Sequence, residues 1–331
     1  MEFNKNDAIY AARLIYPNAS KVKELKSGYS HYAFEVFTEE FPESVIVRFA
    51  NESKEKFGLG KEVRVMKILE SIGVPVPRVI LYDNTKSKFP FEFVILSKLL
   101  GEDLSDVWSK LSKKEQSEIC FEMGMILGKI HKIKFDQVGY IFPNGIDGNI
   151  FDMKKVGKKV KSNPYIEKEL SESLHDVGLM SAKNIIPEEK IIKIIKEHIE
   201  EKERVYSDEE PSLIHGDFEY RNLKVKKVNG KWKICGVLDF ELSAAHAREY
   251  DFIKLHRSGF LTMPHLKNPL LDGYKKYQKI DGNFIDKVIY FRAGRDIGFA
   301  NVLLDAGDID FANKVIDKLL SGEYKNGEKL W

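Results

Sequence analysis

Three oxygen-bearing side chains stand at suggestive spacing in one stretch of this chain. They are Asp217 and Asn222 in His215-Gly-Asp-Phe-Glu-Tyr-Arg-Asn222, and Asp239 in Val237-Leu-Asp-Phe-Glu241. Each sits at the edge of a short apolar run. Between the last two lies Asn229-Gly230, a strong two-residue hairpin signal. A hairpin over 223–237 would bring Asn222 and Asp239 to the same end of one ladder. A carboxylate and an amide oxygen converging there are hard donors, suited to Mg²⁺ held jointly with phosphate oxygens. Asp217, five residues before Asn222, is then the candidate to face the group that attacks phosphorus. His-Gly-Asp followed after four residues by Asn should arise by chance in roughly one chain in a thousand of this length. The bland alternative has Asp217 capping a turn and His215 filling a core.

These residues need a scaffold, and the chain's periodicity supplies one. The first hundred residues read mostly as strands, at Val22 to Leu25, Tyr32 to Phe37, Ser44 to Ala50, Arg78 to Tyr82 and Phe91 to Leu96. Their close spacing favours an antiparallel meander over crossover units. One helix interrupts them. Val63, Met66, Leu69 and Ile72 recur every three residues from Leu59, and Gly73 ends it ahead of Pro75 and Pro77. Beyond Gly101 helical patterns dominate. Ser112 to Lys132 opens with Ser112 and Glu115, a capping-box pair. Others cover 187–206, 247–258 and 283–321. The expected division is a small β lobe over 1–97, a hinge, and a mainly helical lobe over 98–331, an α+β architecture.

Composition narrows the function. The 331 residues suit about two lobes. Fifty-three basic residues against 51 acidic ones leave +2, with no strongly basic face for nucleic acid. No run reaches the roughly 18 apolar residues of a membrane helix, and the polar start does not resemble a signal peptide. Cys120 and Cys235 alone build neither a disulfide framework nor a four-thiolate zinc site. The expectation is a cytoplasmic protein without nucleic-acid or membrane partners.

The stretch from 212 to 256 resembles the aminoglycoside phosphotransferase and choline kinase family, which shares the protein-kinase-like fold. His215 to Asn222 is similar to that family's Brenner motif, and Val237 to Glu241 to its metal-binding segment. The resemblance implies that Asp217 is the catalytic carboxylate and that Asn222 and Asp239 hold Mg²⁺. It also implies that His215 supports the loop and Asp251 anchors it, with His131 a structural histidine at a helix end. In the small lobe, Lys26-Ser-Gly-Tyr-Ser-His31 occupies the phosphate-covering turn, where Ser27 and Ser30 could meet phosphate oxygens. It has one glycine where protein kinases have three. Arg48 stands where kinases carry lysine, and a guanidinium can fork between phosphate and the Glu62 carboxylate. Phe93 to Asp103 resembles the hinge, with backbone groups of Ser97 and Leu99 facing adenine.

The activity implied is transfer of the γ-phosphate of ATP or GTP to a hydroxyl of a small molecule. An aminoglycoside-type antibiotic is the first acceptor implied. Homoserine, choline, methylthioribose or a macrolide remain open, as does a nucleotide-binding pseudokinase. Glu241, Asp272, Asp296 and Asp305 are the acidic candidates for an acceptor cleft. Gly216 and Glu241, where protein kinases have Arg and Gly, argue against protein substrates.

Overall fold

The computed structural model describes residues 3–25, 31–39, 43–50, 58–136, 139–141, 187, 189, 190, 193 and 210–326. They fall into two compact units. The first draws on 1–110 and 220–243, the second on 111–139, 210–219 and 244–326.

The first unit opens with a helix the sequence reading missed, α1 (Lys5–Arg13). Asn4 and Asp7 close a reciprocal capping box at its start. Its buried face is Ala8, Ala11 and Ala12, small residues that give little hydropathy signal. Strands β1 (Lys21–Glu24), β2 (His31–Phe37), β3 (Ser44–Ala50), β4 (Val79–Asp83) and β5 (Phe93–Ser97) form an antiparallel sheet in the order β1-β2-β3-β5-β4. Period-two alternation sorts β3 into two roles. Val45, Val47 and Phe49 enter a core shared with α1 and with Phe89, Phe91 and Phe93. Ile46 and Arg48 take the alternate positions and line a cavity. Phe49 and Phe91 meet edge-to-face at 5.1 Å, a favourable ring geometry.

Helix α2 (Gly58–Ser71) buries Val63, Met66 and Leu69 as the three-residue recurrence implies. Ile72 lies beyond its end and is exposed. Lys61 and Glu62, charged residues on the same helix, are buried as well. A second sheet pairs β6 (Glu102–Asp103) with β9 (Leu223–Val228) and β9 with β10 (Lys231–Val237). The hairpin turns through Asn229 and Gly230 at φ 49° and 77°, the two left-handed residues a type I′ turn requires.

The second unit holds helix α4 (Lys113–Ile130), preceded in the first unit by the short α3 (Leu104–Val107), and the two-residue β7 (Gly139–Tyr140) follows α4 in the chain. Ser112 and Glu115 cap α4 reciprocally, as their spacing implies. Strand β8 (Ser212–Ile214) pairs antiparallel with β11 (Ala244–His246). Helices α5 (Ile253–Arg257), α6 (Pro264–Tyr274), α7 (Phe284–Asp305) and α8 (Ile309–Ser321) follow in the same unit. Of the helix expected over 187–206, residues 189, 190 and 193 are described and are helical. Helix α6 was not foreseen. Pro264 at its first turn is a helix starter, but Pro269 inside it reads as a breaker.

Helices α4 and α6 cross at glycines on both sides. A Cβ on Gly124 would stand 1.9 Å from the Leu270 carbonyl oxygen, and one on Gly273 would stand 2.0 Å from that of Phe121. Backbone cannot yield as a flexible side chain does. Gly124→Ala is therefore expected to destabilise the fold by about 2–3 kcal/mol, the scale of core overpacking. A urea midpoint within error of the parent would refute the tight crossing. Among the described residues, no helix is long and apolar enough to cross a membrane.

Candidate active site

The first unit holds a cavity of about 600 Å³. Arg48, Glu62, Ser97, Leu99 and Asp239, all singled out from sequence, line it together with Glu241. Apolar walls come from Leu25, Ala33, Ile46, Met66, Leu96 and Leu238, so a flat, weakly polar ring fits beside a charged end. At that end Arg48 grips Glu62 with both guanidinium nitrogens, at 2.9 and 3.2 Å. Glu62 is 1% exposed at its side chain and Arg48 19%, so the fork is anchored inside and open outside. Lys61, on the same turn, donates to the Glu241 carbonyl.

Asn222 and Asp239 meet at one end of the hairpin. Leu223 pairs with Val237, and the Leu238 N–H donates to the Asn222 carbonyl at 2.9 Å. Asp239 has φ 68°, in the left-handed region that non-glycine residues seldom occupy. Among the described residues, no group of three or more His, Cys, Asp or Glu forms a self-contained metal cage. One carboxylate and one amide fit a different demand: Mg²⁺ bound by few protein oxygens, with phosphate and water completing its octahedron.

One feature of the cavity escaped the sequence reading. Glu35 and Lys98 pair across its lining at 2.6 Å, and Ser44 donates to the same carboxylate at 2.9 Å. Burial works to raise the Glu35 carboxyl, but the bonds from Lys98 and Ser44 outweigh it and hold it below the usual range. Nothing local in the sequence links residues 63 apart. Ser27 and Ser30 lie outside the described residues.

Asp217 belongs to the second unit, on the loop leaving β8. Asp251 anchors that loop, as the resemblance implied. Its carboxylate accepts from the backbone N–H groups of His215 and Gly216 at 2.8 and 2.7 Å, and pairs with His131 Nε2 at 3.0 Å. The other His131 nitrogen meets the Tyr274 hydroxyl at 2.8 Å. Burial pulls the His131 pKa down, against the pull of Asp251. A neutral ring donating from Nε2 and accepting at Nδ1 satisfies both partners. His215 Nδ1 accepts the Asp217 N–H at 3.2 Å, so this histidine shapes the loop.

Two cations that sequence reasoning missed converge on Asp217. Lys254 on α5 contacts its Oδ1 and also bonds Glu219 at 3.1 Å. Arg295 on α7 approaches the same Oδ1 to 3.8 Å and donates to the Gly216 carbonyl at 3.1 Å. Of the acidic acceptor candidates, Asp296 is fully buried between Arg257 and Arg292. Asp272 is exposed beside Lys275, Asp305 is exposed on α7, and Glu241 lines the first unit's cavity. Asp296, held by two arginines, is thus withdrawn from any acidic cleft of the second unit.

The buried arginines also affect His256, whose Nδ1 lies 2.9 Å from Arg292. Burial, then the positive charge of Arg292, pushes its pKa down to about 4. The unfolded chain takes up this proton near the ordinary value of 6.5, the folded chain only near 4. Stability should therefore fall as pH drops from 6.5 towards 4, by up to about 3 kcal/mol, and the loss should level off below that. Urea unfolding at several pH values checks this. A His256→Gln variant that keeps the full slope would assign it elsewhere.

Comparison with known proteins agrees with this geometry. The profile of the phosphotransferase enzyme family (APH) matches residues 21–282. Among solved structures, the GDP complex of wild-type aminoglycoside 2′-phosphotransferase-IIIa superposes with a TM-score of 0.66 at 16% identity, covering 97% of this chain and 100% of that one. A thermostable mutant of aminoglycoside phosphotransferase APH(4)-Ia, in ternary complex with ADP and hygromycin B, gives 0.64 at 13%, covering 95% and 98%. Among curated proteins, human acyl-CoA dehydrogenase family member 11 is 25% identical over 186 residues, 56% of this chain and 21% of that protein. Its counterpart from Pongo abelii is 24% identical over the same span. The chain thus matches about a fifth of these curated relatives. With most of its length inside that profile, and its fold that of the kinase-like aminoglycoside phosphotransferases, the chain belongs to the phosphotransferase enzyme family.

Proposed function

We propose that this phosphotransferase moves the γ-phosphate of ATP or GTP to a hydroxyl of a small molecule. The observation that carries the reading is the cavity shared by Arg48, Glu62 and Asp239, with apolar walls at its other end. The base packs against Leu96, Leu99 and Leu238, hydrogen-bonded by backbone groups of Ser97 and Leu99. Arg48, held by Glu62, takes the phosphates, with Ser27 and Ser30 assigned to the covering turn. Asp239 and Asn222 would hold Mg²⁺, which supplies charge neutralisation on the phosphate oxygens. Residues 1–97 form the nucleotide lobe of this proposal and 98–331 the helical lobe with the catalytic loop and acceptor site, which also lends Leu99, Leu238 and Asp239 to the nucleotide cavity.

Asp217 accepts a hydrogen bond from the acceptor hydroxyl and orients it. The hydroxyl oxygen bonds to the γ-phosphorus as the bond to the β–γ bridging oxygen breaks. The nucleoside diphosphate leaves, and the hydroxyl proton passes to Asp217 or to solvent. In a loose transition state the proton departs late, so orientation contributes more than basicity. Aminoglycoside-type polyols are one acceptor class, in keeping with the ligands named for the solved relatives. A small-metabolite acceptor is the second reading, and the cations beside Asp217 favour it.

The test is nucleoside diphosphate release from ATP and from GTP with Mg²⁺, across a panel of hydroxyl compounds. Acceptor-dependent release supports the proposal. Normal nucleotide binding without turnover would instead favour a regulatory pseudokinase.

A further inference from the structure

We propose that the acceptor carries an anionic group, a carboxylate or phosphate, near the hydroxyl presented to Asp217, and that Arg295 with Lys254 recognises it. The inference rests on the phosphotransferase reading and narrows its substrate class.

Charge around Asp217 is unevenly matched. Among the described residues, Lys254, Arg257, Arg292 and Arg295 gather with the carboxylates of Asp217, Glu219 and Asp296. Asp296 is taken by Arg257 and Arg292. Glu219 and Asp217 share Lys254. Arg295 is left with a carboxylate oxygen at 3.8 Å, one backbone carbonyl and the face of Tyr250 at 5.5 Å. None of these gives its guanidinium a close, full negative charge. Its side chain is 22% exposed, Lys254 21% and Asp217 14%, so all three are partly open to a small molecule. A guanidinium so placed keeps planar donors for a carboxylate or phosphate.

An anionic acceptor must approach the negative Asp217, and two adjacent cations offset that repulsion. A polycationic aminoglycoside would meet like charge from the same two side chains, in a partly desolvated setting that strengthens the repulsion. Arg295 is a specificity residue in this scheme. It binds the acceptor's anion and takes no proton.

The experiment measures turnover with ATP or GTP and Mg²⁺ on paired acceptors. Hydroxybutyrates and glycerate are set against their amides, and sugar phosphates against the parent sugars, so that the carboxylate and phosphate arms separate. Kanamycin and choline supply the cations. At least one anionic member should be preferred over its neutral counterpart. Arg295→Gln should raise that acceptor's KM by about tenfold or more, leaving the nucleotide KM within about twofold. The KM of the neutral counterpart should rise by clearly less, a difference between the paired acceptors that a merely structural role would not produce. Arg295→Lys should restore the preference to within about threefold, and added salt should weaken it. Turnover confined to neutral or cationic members overturns the anionic assignment while leaving phosphoryl transfer standing. No turnover with any acceptor removes both.

Discussion

Asp217→Asn should lower kcat by about 10³-fold while nucleotide affinity stays within about threefold of the parent. The loss corresponds to roughly 4 kcal/mol of transition-state stabilisation. Asparagine preserves the side chain's size and one acceptor oxygen, so the loop should keep its course. What disappears is the negative charge, paired with Lys254 and approached by Arg295, that the proposed mechanism uses to orient the acceptor hydroxyl. Nucleotide affinity should hold because the residues lining the cavity all belong to the first unit, and Asp217 does not. Steady-state kinetics beside direct nucleotide titration separates the two quantities. Parallel loss of both would mean that Asp217 maintains the nucleotide site, and the assigned role would be wrong.

The second large effect is structural. Asp251→Ala should cost about 3–5 kcal/mol of stability and take activity with it. The Asp251 side chain is 0% exposed and satisfies the His215 and Gly216 N–H groups and His131 at once. Alanine strands buried donors, each at about 1–3 kcal/mol, in a place water does not readily fill. Gly216, at φ 81°, sits at the bend these bonds hold, immediately before Asp217. Chemical unfolding reads the stability loss. A destabilisation under 1 kcal/mol would show that the loop keeps its shape by other means.

Legibility varied with the range of the interactions involved. The strands of the first sheet, the α4 cap and the Asn229-Gly230 turn were readable because each depends on residues a few positions apart. Helix α1 escaped because its buried face is alanine, and α6 because Pro269 sits inside it. The Arg48 to Glu62 fork was anticipated only through the resemblance of the strand and helix that carry it. The Glu35 to Lys98 pair and the cations beside Asp217 were not, since no local pattern marks partners 37 to 78 positions apart. Lys254 and Arg295 look like ordinary helix-surface charges when written in a line.

Residue order was enough to name the family and the hairpin, and to nominate Asp217, Asn222 and Asp239, because motif spacing and turn chemistry are local. It was silent on what surrounds those side chains. Four acidic residues chosen for an acceptor cleft prove to be buried between arginines, exposed, or part of the first unit's cavity. The charge beside Asp217 is instead supplied by α5 and α7, which meet that loop through packing. Electrostatics depends on distance through space, and folding alone brings positions 217, 254 and 295 within a few ångströms.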